Sequence, residues 1–278
     1  MDEMKRIRIG NQTAFAASTL MLPFEYAVAN GFNAFEWFPD RHESGEGWDV
    51  SDIDAGTRSY IKDRATTHDI ALSVHASLQA NPLKNENLEL WFKDIEFAQD
   101  IGASLFNIHL YTDGGIETYI KAITPIIRRS AEAGIKLAIE NTPLTIPDDF
   151  NKIFALFQNM PAVDTAHTGI CLDPGHANLC GSTRNDYLGF IDRLDTRVPV
   201  IHIHMHENYG DKDSHLTIFS GPAGENTAGV RGFIERMKKR RFSGSVILEQ
   251  WPDPPSLLNR ARDRLYNMWM QDQEYKRN

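Results

Sequence analysis

The chain has 278 residues, of which 41% are hydrophobic and 24% are charged, and its formal net charge is −9 at pH 7. The composition is ordinary for a globular protein, the acidic balance disfavours a broad nucleic-acid-binding surface, and no apolar run approaches the roughly 20 residues of a membrane span. The first ten residues, MDEMKRIRIG, contain no apolar stretch of signal-peptide type, so we expect a cytoplasmic protein. The two cysteines, Cys171 and Cys180, are expected to be free thiols in a reducing compartment.

Short apolar, β-branched runs alternate with amphipathic stretches along the whole chain. The runs that predict strands cover residues 6–10, 33–38, 70–76, 104–110, 135–141, 168–173, 198–206 and 244–250. The stretches that predict helices include 88–101, 116–133, 150–157, 186–194 and 229–239, and a last one, 256–271, follows the final strand. Units of roughly 30 to 35 residues suit βα repeats. The sequence therefore predicts an α/β fold, a single (β/α)8 TIM barrel domain over residues 1–278.

A doubly wound open sheet is the alternative fold. The nucleotide-binding members of that class carry a glycine-rich fingerprint after the first strand. The first predicted strand here is not followed by such a fingerprint, so the closed barrel is favoured.

Carboxylates and imidazoles end strand after strand. In a (β/α)8 barrel the active site lies at the carboxyl ends of the strands, a ring of residues that we call the mouth. The strand-end residues, in chain order, are Glu36, His75, His109, Glu140 with Asn141, Asp173 with His176, the histidines of the seventh strand, and Glu249. A single such residue is more often a hydrogen-bonded or solvated side chain than a ligand. Because buried carboxylates without partners are costly, their convergence on one mouth predicts bound cations.

The tract IHIHMHENYGDKDSH, residues 201–215, holds four of the ten histidines. Period-two alternation places His202, His204 and His206 on one face of the strand, towards the filled interior. The ligand is predicted to be the inward residue nearest the mouth, for which we choose His204, with His206 in reserve and His202 deeper. Asp213 and His215 follow on a tight turn, as Asp173 and His176 do on another.

The segments LAIEN, ICLDPGHAN, IHIHMHENYGDKDSHL and VILEQ resemble the xylose isomerase-like TIM barrels, which include sugar isomerases, epimerases and the endonuclease IV type of apurinic-site nuclease. The resemblance extends from GFNAFEWF to SVILEQ. It implies a core metal site for one divalent ion, commonly manganese, cobalt or magnesium, made by Glu140, Asp173, His204 and Glu249. Endonuclease IV extends this core to three zinc ions, and its additional ligands match His75, His109, His176, Asp213 and His215. The resemblance therefore implies one to three divalent ions.

The first functional hypothesis is an isomerase or epimerase of a sugar, sugar phosphate or related polyol. A metal that polarises a carbonyl lowers the cost of an enediolate, and the resemblance implies that Glu140 and Glu249 move the protons. His176 is the third candidate catalytic residue. The candidate substrate-binding residues are Glu36, Trp37, Asn141, Asn208, Gly221 and Gly224.

Two features of the mouth each allow two interpretations. The loop SGPAGENTAG, residues 220–229, is either a phosphate cradle or a flexible connection. The aromatic residues Trp37, Phe38, Tyr111 and Trp251 either form apolar walls for a sugar or pack the rim. One departure from the ketose 3-epimerases is the absence of their arginine a few residues past the strand-seven histidine, where Gly210 and Asp211 lie.

The second hypothesis is a multinuclear zinc phosphodiesterase like endonuclease IV, which the nine matching ligands favour and the acidic charge disfavours. A lyase or dehydratase would use the same metal and bases, and a non-catalytic barrel is the least favoured possibility. The basic run RMKKRRF, residues 236–242, is predicted to be a solvated helix end on the face opposite the mouth. Residues 267–271 either serve a homo-oligomer interface or pack the last helix. The expected partner is a small sugar-like molecule, with no membrane and with nucleic acid disfavoured.

Overall fold

The computed structural model describes residues 7–84, 88–160 and 166–274. Eight parallel strands form a closed barrel in sequential order, and β1 pairs with both β2 and β8 to close it. The strands are β1 (Arg8–Gln12), β2 (Ala34–Trp37), β3 (Ala71–His75), β4 (Leu105–His109), β5 (Lys136–Glu140), β6 (Thr168–Leu172), β7 (Val200–Met205) and β8 (Ser245–Leu248). The predicted (β/α)8 barrel is confirmed.

Helices fill the connections between the strands. They are α1 (Leu22–Ala29), α2 (Ala55–Thr67), α3 (Leu88–Ile101), α4 (Ile116–Glu132), α5 (Pro147–Phe157), α6 (Pro174–Leu179), α7 (Tyr187–Arg193), α8 (Pro222–Glu225), α9 (Ala228–Lys239) and α10 (Ser256–Glu274), with one 3-10 turn at Val50–Asp52. Helix α5 begins three residues before the predicted start because Pro147 suits the first helical turn. The Asp149 side chain also accepts a hydrogen bond from the Ile146 amide there.

Strand alternation separates an outer apolar layer from a polar interior. Outward side chains such as Trp37 are fully buried beneath the helices, where Trp37 contacts Phe24 of α1 and Phe97 of α3. Inside the barrel, Leu105, Ala138 and Cys171 form a small apolar cluster. Because side chains two apart share a face, Asn107 and His109 follow Leu105 towards the mouth.

Strand β1 lies two residues later than predicted, at Arg8–Gln12 instead of 6–10. Its last two residues, Asn11 and Gln12, are polar but buried, and they pair with Phe35 and Glu36 of β2. Because these two residues are polar, the sequence at the end of β1 resembles a loop. The barrel accepts these amides because Asn11 donates to the Pro23 carbonyl and Gln12 to the Glu249 carbonyl.

Residues of the basic run at the end of α9 make contacts that stabilise the fold. The Arg236 Nε atom lies 2.7 Å from Asp192 Oδ1, and Arg240 donates to carbonyls at the C-terminal end of α7. Both lie near the start of β8, at the barrel end opposite the mouth. Trp269 is 4% exposed and packs on Phe242, so this part of α10 packs against the barrel of its own chain.

Both cysteines are buried and free, as predicted. Across the three described ranges, no helix combines the length and the apolar character that crossing a bilayer demands.

Candidate metal centre

Glu140, at the carboxyl end of β5, is the hub of the mouth. Its carboxylate is 1% exposed and lies among four imidazoles that come from different strand ends. The distances are 3.3 Å to His75 Nε2, 3.7 Å to His109 Nε2, 3.5 Å to His176 Nδ1 and 3.2 Å to His204 Nδ1. The convergence that the strand ends predicted is present.

Glu140 also belongs to a central set, formed with Asp173, His204 and Glu249. One potential ligand atom from each of the four lies within 4.8 Å of the others. The His204 Nδ1 atom lies 3.0 Å from Glu249 Oε1 and 3.2 Å from Glu140 Oε2, so two carboxylates approach the same nitrogen. Three carboxylates and one imidazole supply four ligand atoms for a divalent cation.

Two flanking sets adjoin the central set and meet the same 4.8 Å criterion. The first flanking set is His75, His109 and Glu140, and Glu140 joins it to the central set. The second flanking set is His176, His206, Asp213 and His215. Asp213 Oδ2 lies 3.2 Å from His176 Nε2 and 3.2 Å from His215 Nε2. All nine predicted ligands therefore lie in these three adjoining sets.

Three of the predicted histidine ligands are each held through one ring nitrogen. His75 Nδ1 lies 2.7 Å from the Ala76 carbonyl, and His176 Nδ1 lies 2.8 Å from the Asn141 carbonyl. His204 Nε2 lies 2.7 Å from Glu36 Oε1. An acceptor on one ring nitrogen fixes the tautomer and aims the other nitrogen at a ligand, as metal-binding histidines do in general.

Several buried atoms of the central set have no hydrogen-bond partner among the described residues. They are Glu140 Oε1, Asp173 Oδ2, His204 Nδ1 and Glu249 Oε2. Buried polar atoms are nearly always paired, and unpaired buried carboxylate oxygens are costly. A divalent cation among them would satisfy all four, so the donor set fits a metal ion. Mixed imidazole and carboxylate ligands suit zinc, manganese, cobalt or iron.

The electrostatics of the cluster favour anionic carboxylates. Burial raises the pKa of Glu140, but the neighbouring His204 and His109 outweigh it and hold that pKa well below its usual range. Burial is likewise outweighed at Asp173, where His176 and His206 lower the pKa. Burial would lower the pKa of His215, but the Asp213 and Glu249 carboxylates raise it to about 9.

The three alternating histidines, His202 and His204 on β7 and His206 directly after it, occupy different depths, as predicted. His202 is the deepest and contacts Glu36, whereas His204 reaches the central set. The His206 ring stacks on His215 with centroids 4.0 Å apart, and its Nε2 atom lies 3.1 Å from Asp173 Oδ2. His204 is thus the β7 residue that contacts both glutamates, and His206 joins the second flanking set.

Four of the six predicted substrate-binding residues are engaged elsewhere. Trp37 belongs to the outer layer, so it is not a wall of the mouth. Glu36 is fully buried and contacts His202 and His204. Asn141 exchanges hydrogen bonds of 2.8 Å with the Asp173 backbone. Asn208 donates to the Gly175 carbonyl and accepts from the Gly210 amide.

The remaining two, Gly221 and Gly224, lie in a loop that does not match the predicted phosphate cradle. The buried Glu207 carboxylate accepts hydrogen bonds from the amides of Phe219 and Ala223. A Cβ atom on Gly221 would lie 2.7 Å from Glu207 Oε2, and one on Gly224 would lie 2.8 Å from the Phe219 carbonyl oxygen. The Ala223 amide, which belongs to the predicted cradle, thus donates to an internal carboxylate.

Two side-chain amides at the mouth were not predicted from the sequence. Asn107, fully buried on β4, donates from Nδ2 to Glu140 Oε2. Gln12 lies beside Glu249 and donates to its backbone carbonyl at 3.2 Å. The signal for Asn107 was its position two residues before His109, which places both on one strand face. Gln12 gave no such signal because it lies beyond the predicted end of β1.

Aromatic side chains lie at the rim of the mouth. Phe38 packs on the His75 ring with centroids 4.2 Å apart, and Tyr111 lies edge-on to His109. Trp251 packs on Tyr26 instead. The large exposed apolar side chains of the loops after β1, β3, β5 and β7 include Phe15, Leu78, Leu144 and Tyr209.

The profile of the xylose isomerase-like TIM barrel family matches residues 24–268. The chain belongs to this family. A protein of Thermoplasma volcanium named "Probable endonuclease 4" is 26% identical over 270 residues, which cover 90% of this chain and 92% of that protein. "Uncharacterized protein MJ1311" of Methanocaldococcus jannaschii is 26% identical over 145 residues, 50% of this chain, and the match spans 45% of that protein.

Solved structures share the fold at lower identity. A "D-tagatose 3-epimerase-like protein" superposes with a TM-score of 0.71 at 19% identity, covering 96% of this chain and 99% of that one. The TTHB071 protein of Thermus thermophilus, soaked with zinc chloride, gives a TM-score of 0.62 at 16% identity, covering 93% of this chain and 99% of that one. Members of this family include sugar epimerases and endonuclease IV homologues, so the chain shares its fold with both groups.

Proposed function

We propose that this protein is a divalent-metal-dependent isomerase or epimerase of a small sugar or related polyol. The observation that carries the proposal is the position of Glu140 and Glu249, whose carboxylates approach His204 Nδ1 at 3.2 Å and 3.0 Å. They come from the fifth and eighth strands, on different sides of the closed barrel. Two carboxylates flanking one cation site suit the removal of a proton by one and its return by the other.

The central set would hold the ion, and manganese, cobalt, magnesium and zinc are the candidate metals. When bound, a divalent ion polarises a substrate carbonyl and so lowers the cost of removing the neighbouring proton. Glu140 is oriented by the Asn107 amide and is anionic at neutral pH because the surrounding imidazoles lower its pKa. Glu249, whose side chain is 8% exposed, lies nearer the open end of the mouth.

His176 links the central set with the second flanking set. Its Nδ1 atom lies 3.3 Å from Asp173 Oδ2, and its Nε2 atom lies 3.2 Å from Asp213 Oδ2. We assign it to ligand binding and to the orientation of Asp173, close to the reacting atoms. Buried free thiols at Cys171 and Cys180 suit a protein of the cytoplasm.

The character of the rim favours a small polyol over DNA. Phe38 and Tyr111 flank the mouth with apolar faces, and the net charge of the chain is −9. Aromatic and apolar walls around a few polar groups are typical of small-molecule sites. A nucleic-acid site relies instead on lysine and arginine contacts to phosphates. An acidic protein whose basic run faces away from the mouth lacks that broad attraction.

The proposal is tested by proton exchange. The metal-loaded protein is incubated in D2O with a panel of ketopentoses and ketohexoses, and deuterium at the carbon next to the carbonyl is followed by NMR. Exchange with conversion to an epimer or isomer supports the proposal, and loss of water from the substrate instead identifies a lyase. Absence of exchange with every sugar in a protein of measured metal content contradicts it.

A second candidate is hydrolysis of phosphodiesters, which a specific observation favours. The two flanking sets supply ligands for two further ions beside the central set. The similarity to "Probable endonuclease 4" of Thermoplasma volcanium over 90% of the chain agrees with this possibility. Cleavage of DNA containing an abasic site by the zinc-loaded protein would support it, and intact DNA beside active sugar turnover would exclude it.

A further inference from the structure

Glu36 occupies the floor of the metal centre and is 0% exposed. Its Oε2 atom accepts a hydrogen bond of 2.8 Å from the Ser73 hydroxyl, and the two residues face each other across β2 and β3. The same oxygen lies 2.8 Å from His202 Nε2. The other oxygen lies 2.7 Å from His204 Nε2. One carboxylate thus holds two histidines of β7.

The chemistry of these contacts determines which His204 nitrogen faces the centre. A carboxylate accepts hydrogen bonds and cannot donate them, so the 2.7 Å contact of Glu36 Oε1 with His204 Nε2 favours a proton on that nitrogen when a cation binds at Nδ1. The nitrogen left for a cation is Nδ1, which lies between Glu249 Oε1 and Glu140 Oε2. The ring of His202 lies 5.3 Å from that of His204, at 70° to it, and its bond to Glu36 braces the carboxylate from the other side.

We propose that Glu36 is a positioning residue that fixes the tautomer and ring orientation of His204, so that His204 binds the metal through Nδ1. This inference deepens the proposed function and rests on its metal centre. A buried carboxylate is costly unless its oxygens have polar or charged partners, and the Glu36 oxygens lie within 2.8 Å of the Ser73 hydroxyl, His202 Nε2 and His204 Nε2. Carboxylate partners of metal-binding histidines orient the ring and raise its basicity.

The burial of Glu36 separates this role from substrate binding. Its fully buried side chain lies behind His204, on the side away from Glu140 and Glu249. A substrate at the mouth would therefore meet the central set before it reached Glu36. The expected effect of a change at Glu36 is on metal affinity and on the orientation of the His204 ring.

The experiment compares Glu36→Gln with Ser73→Ala and the wild type. Dissociation constants for Mn²⁺ and Zn²⁺ are measured by competition with a chelator, and thermal unfolding reports the fold. Glu36→Gln keeps the size of the side chain but removes its charge and one acceptor, so we expect metal affinity to fall about 10- to 100-fold. Ser73→Ala removes one contact to Oε2 but leaves the His204 contact, so we expect a change of less than about threefold.

A second readout keeps the inference testable if Glu36→Gln fails to fold. In the zinc-loaded wild type, ¹⁵N NMR of histidine side chains reports which His204 nitrogen binds zinc, and we expect Nδ1, with the proton on Nε2. Binding through Nε2, or metal affinity of a folded Glu36→Gln within threefold of the wild type, would overturn the inference. A wild type that binds no divalent ion would instead refute the proposed function, so the two failures are distinguishable.

Discussion

Replacing Glu249 with glutamine tests the proton-transfer chemistry with little disturbance of the barrel. Glutamine keeps the volume of the side chain but removes the charge that faces His204 Nδ1 at 3.0 Å and His215 Nδ1 at 3.7 Å. Glu249 suits this test better than Glu140, which four imidazoles and Asn107 surround. A positioned general base or acid contributes about 10²- to 10⁴-fold to a rate. That factor corresponds to about 3 to 5 kcal/mol of transition-state stabilisation.

The assay follows deuterium exchange and product formation by NMR with the metal content of each sample measured in parallel. Glu249→Gln is expected to lose about 10²- to 10⁴-fold in turnover and to unfold near the wild-type temperature. Glu117→Gln is the matched control, because it removes a surface carboxylate paired with Lys152 at 2.7 Å. Turnover of Glu249→Gln within twofold of the wild type, at equal metal content, would refute the assignment.

Three other outcomes test separate parts of the account. His204→Ala is expected to lose the ion of the central set, and His206→Ala to retain it, because His204 Nδ1 is the nitrogen that contacts both glutamates. The metal content is measured by elemental analysis, and the reverse result would show that the roles of His204 and His206 were assigned in the wrong order. Gly175→Ala would place a Cβ atom 2.2 Å from His206 Cε1, so we expect a loss of about 1 to 3 kcal/mol in unfolding free energy by denaturant titration, and no loss would show that the His206 ring moves freely. Burial raises the pKa of Asp94 to about 7 despite its hydrogen bonds from Ser77. Since the folded-state pKa exceeds the unfolded one, Asp94 makes the unfolding free energy fall by up to about 1.4 kcal/mol per pH unit as pH rises from about 4 to 7. Asp94→Asn should remove this dependence of the unfolding free energy on pH. Equal slopes in the variant and the wild type would contradict this.

The sequence was most informative where local pattern and strand position coincide. Apolar strand runs and strand-end polar residues follow from chemistry that acts along a single segment. For that reason the eight strands and the nine ligand-type side chains, Glu140 and His204 among them, were predicted from strand ends, spacing and the family resemblance. Strand β1 was displaced by two residues because Asn11 and Gln12 are buried by partners far along the chain.

The predicted substrate-binding residues show what sequence alone could not resolve. The roles of Glu36, Asn141 and Asn208 depend on which side chains the closed barrel brings beside them. The contacts of the 220–229 loop could not be predicted for the same reason. The Glu207 carboxylate accepts hydrogen bonds from the amides of Phe219 and Ala223 only once the chain has folded back. Phe219 lies 12 residues from Glu207 and His202 lies 166 residues from Glu36, and local periodicity cannot predict partners at such separations.

The most direct test of the metal centre is the content of divalent metal per purified chain, measured by elemental analysis before and after mild chelation. The account predicts at least one manganese, cobalt, magnesium or zinc ion per wild-type chain and the loss of that ion in Glu140→Gln and His204→Ala. A wild type that neither contains nor binds a divalent ion at saturation would contradict it.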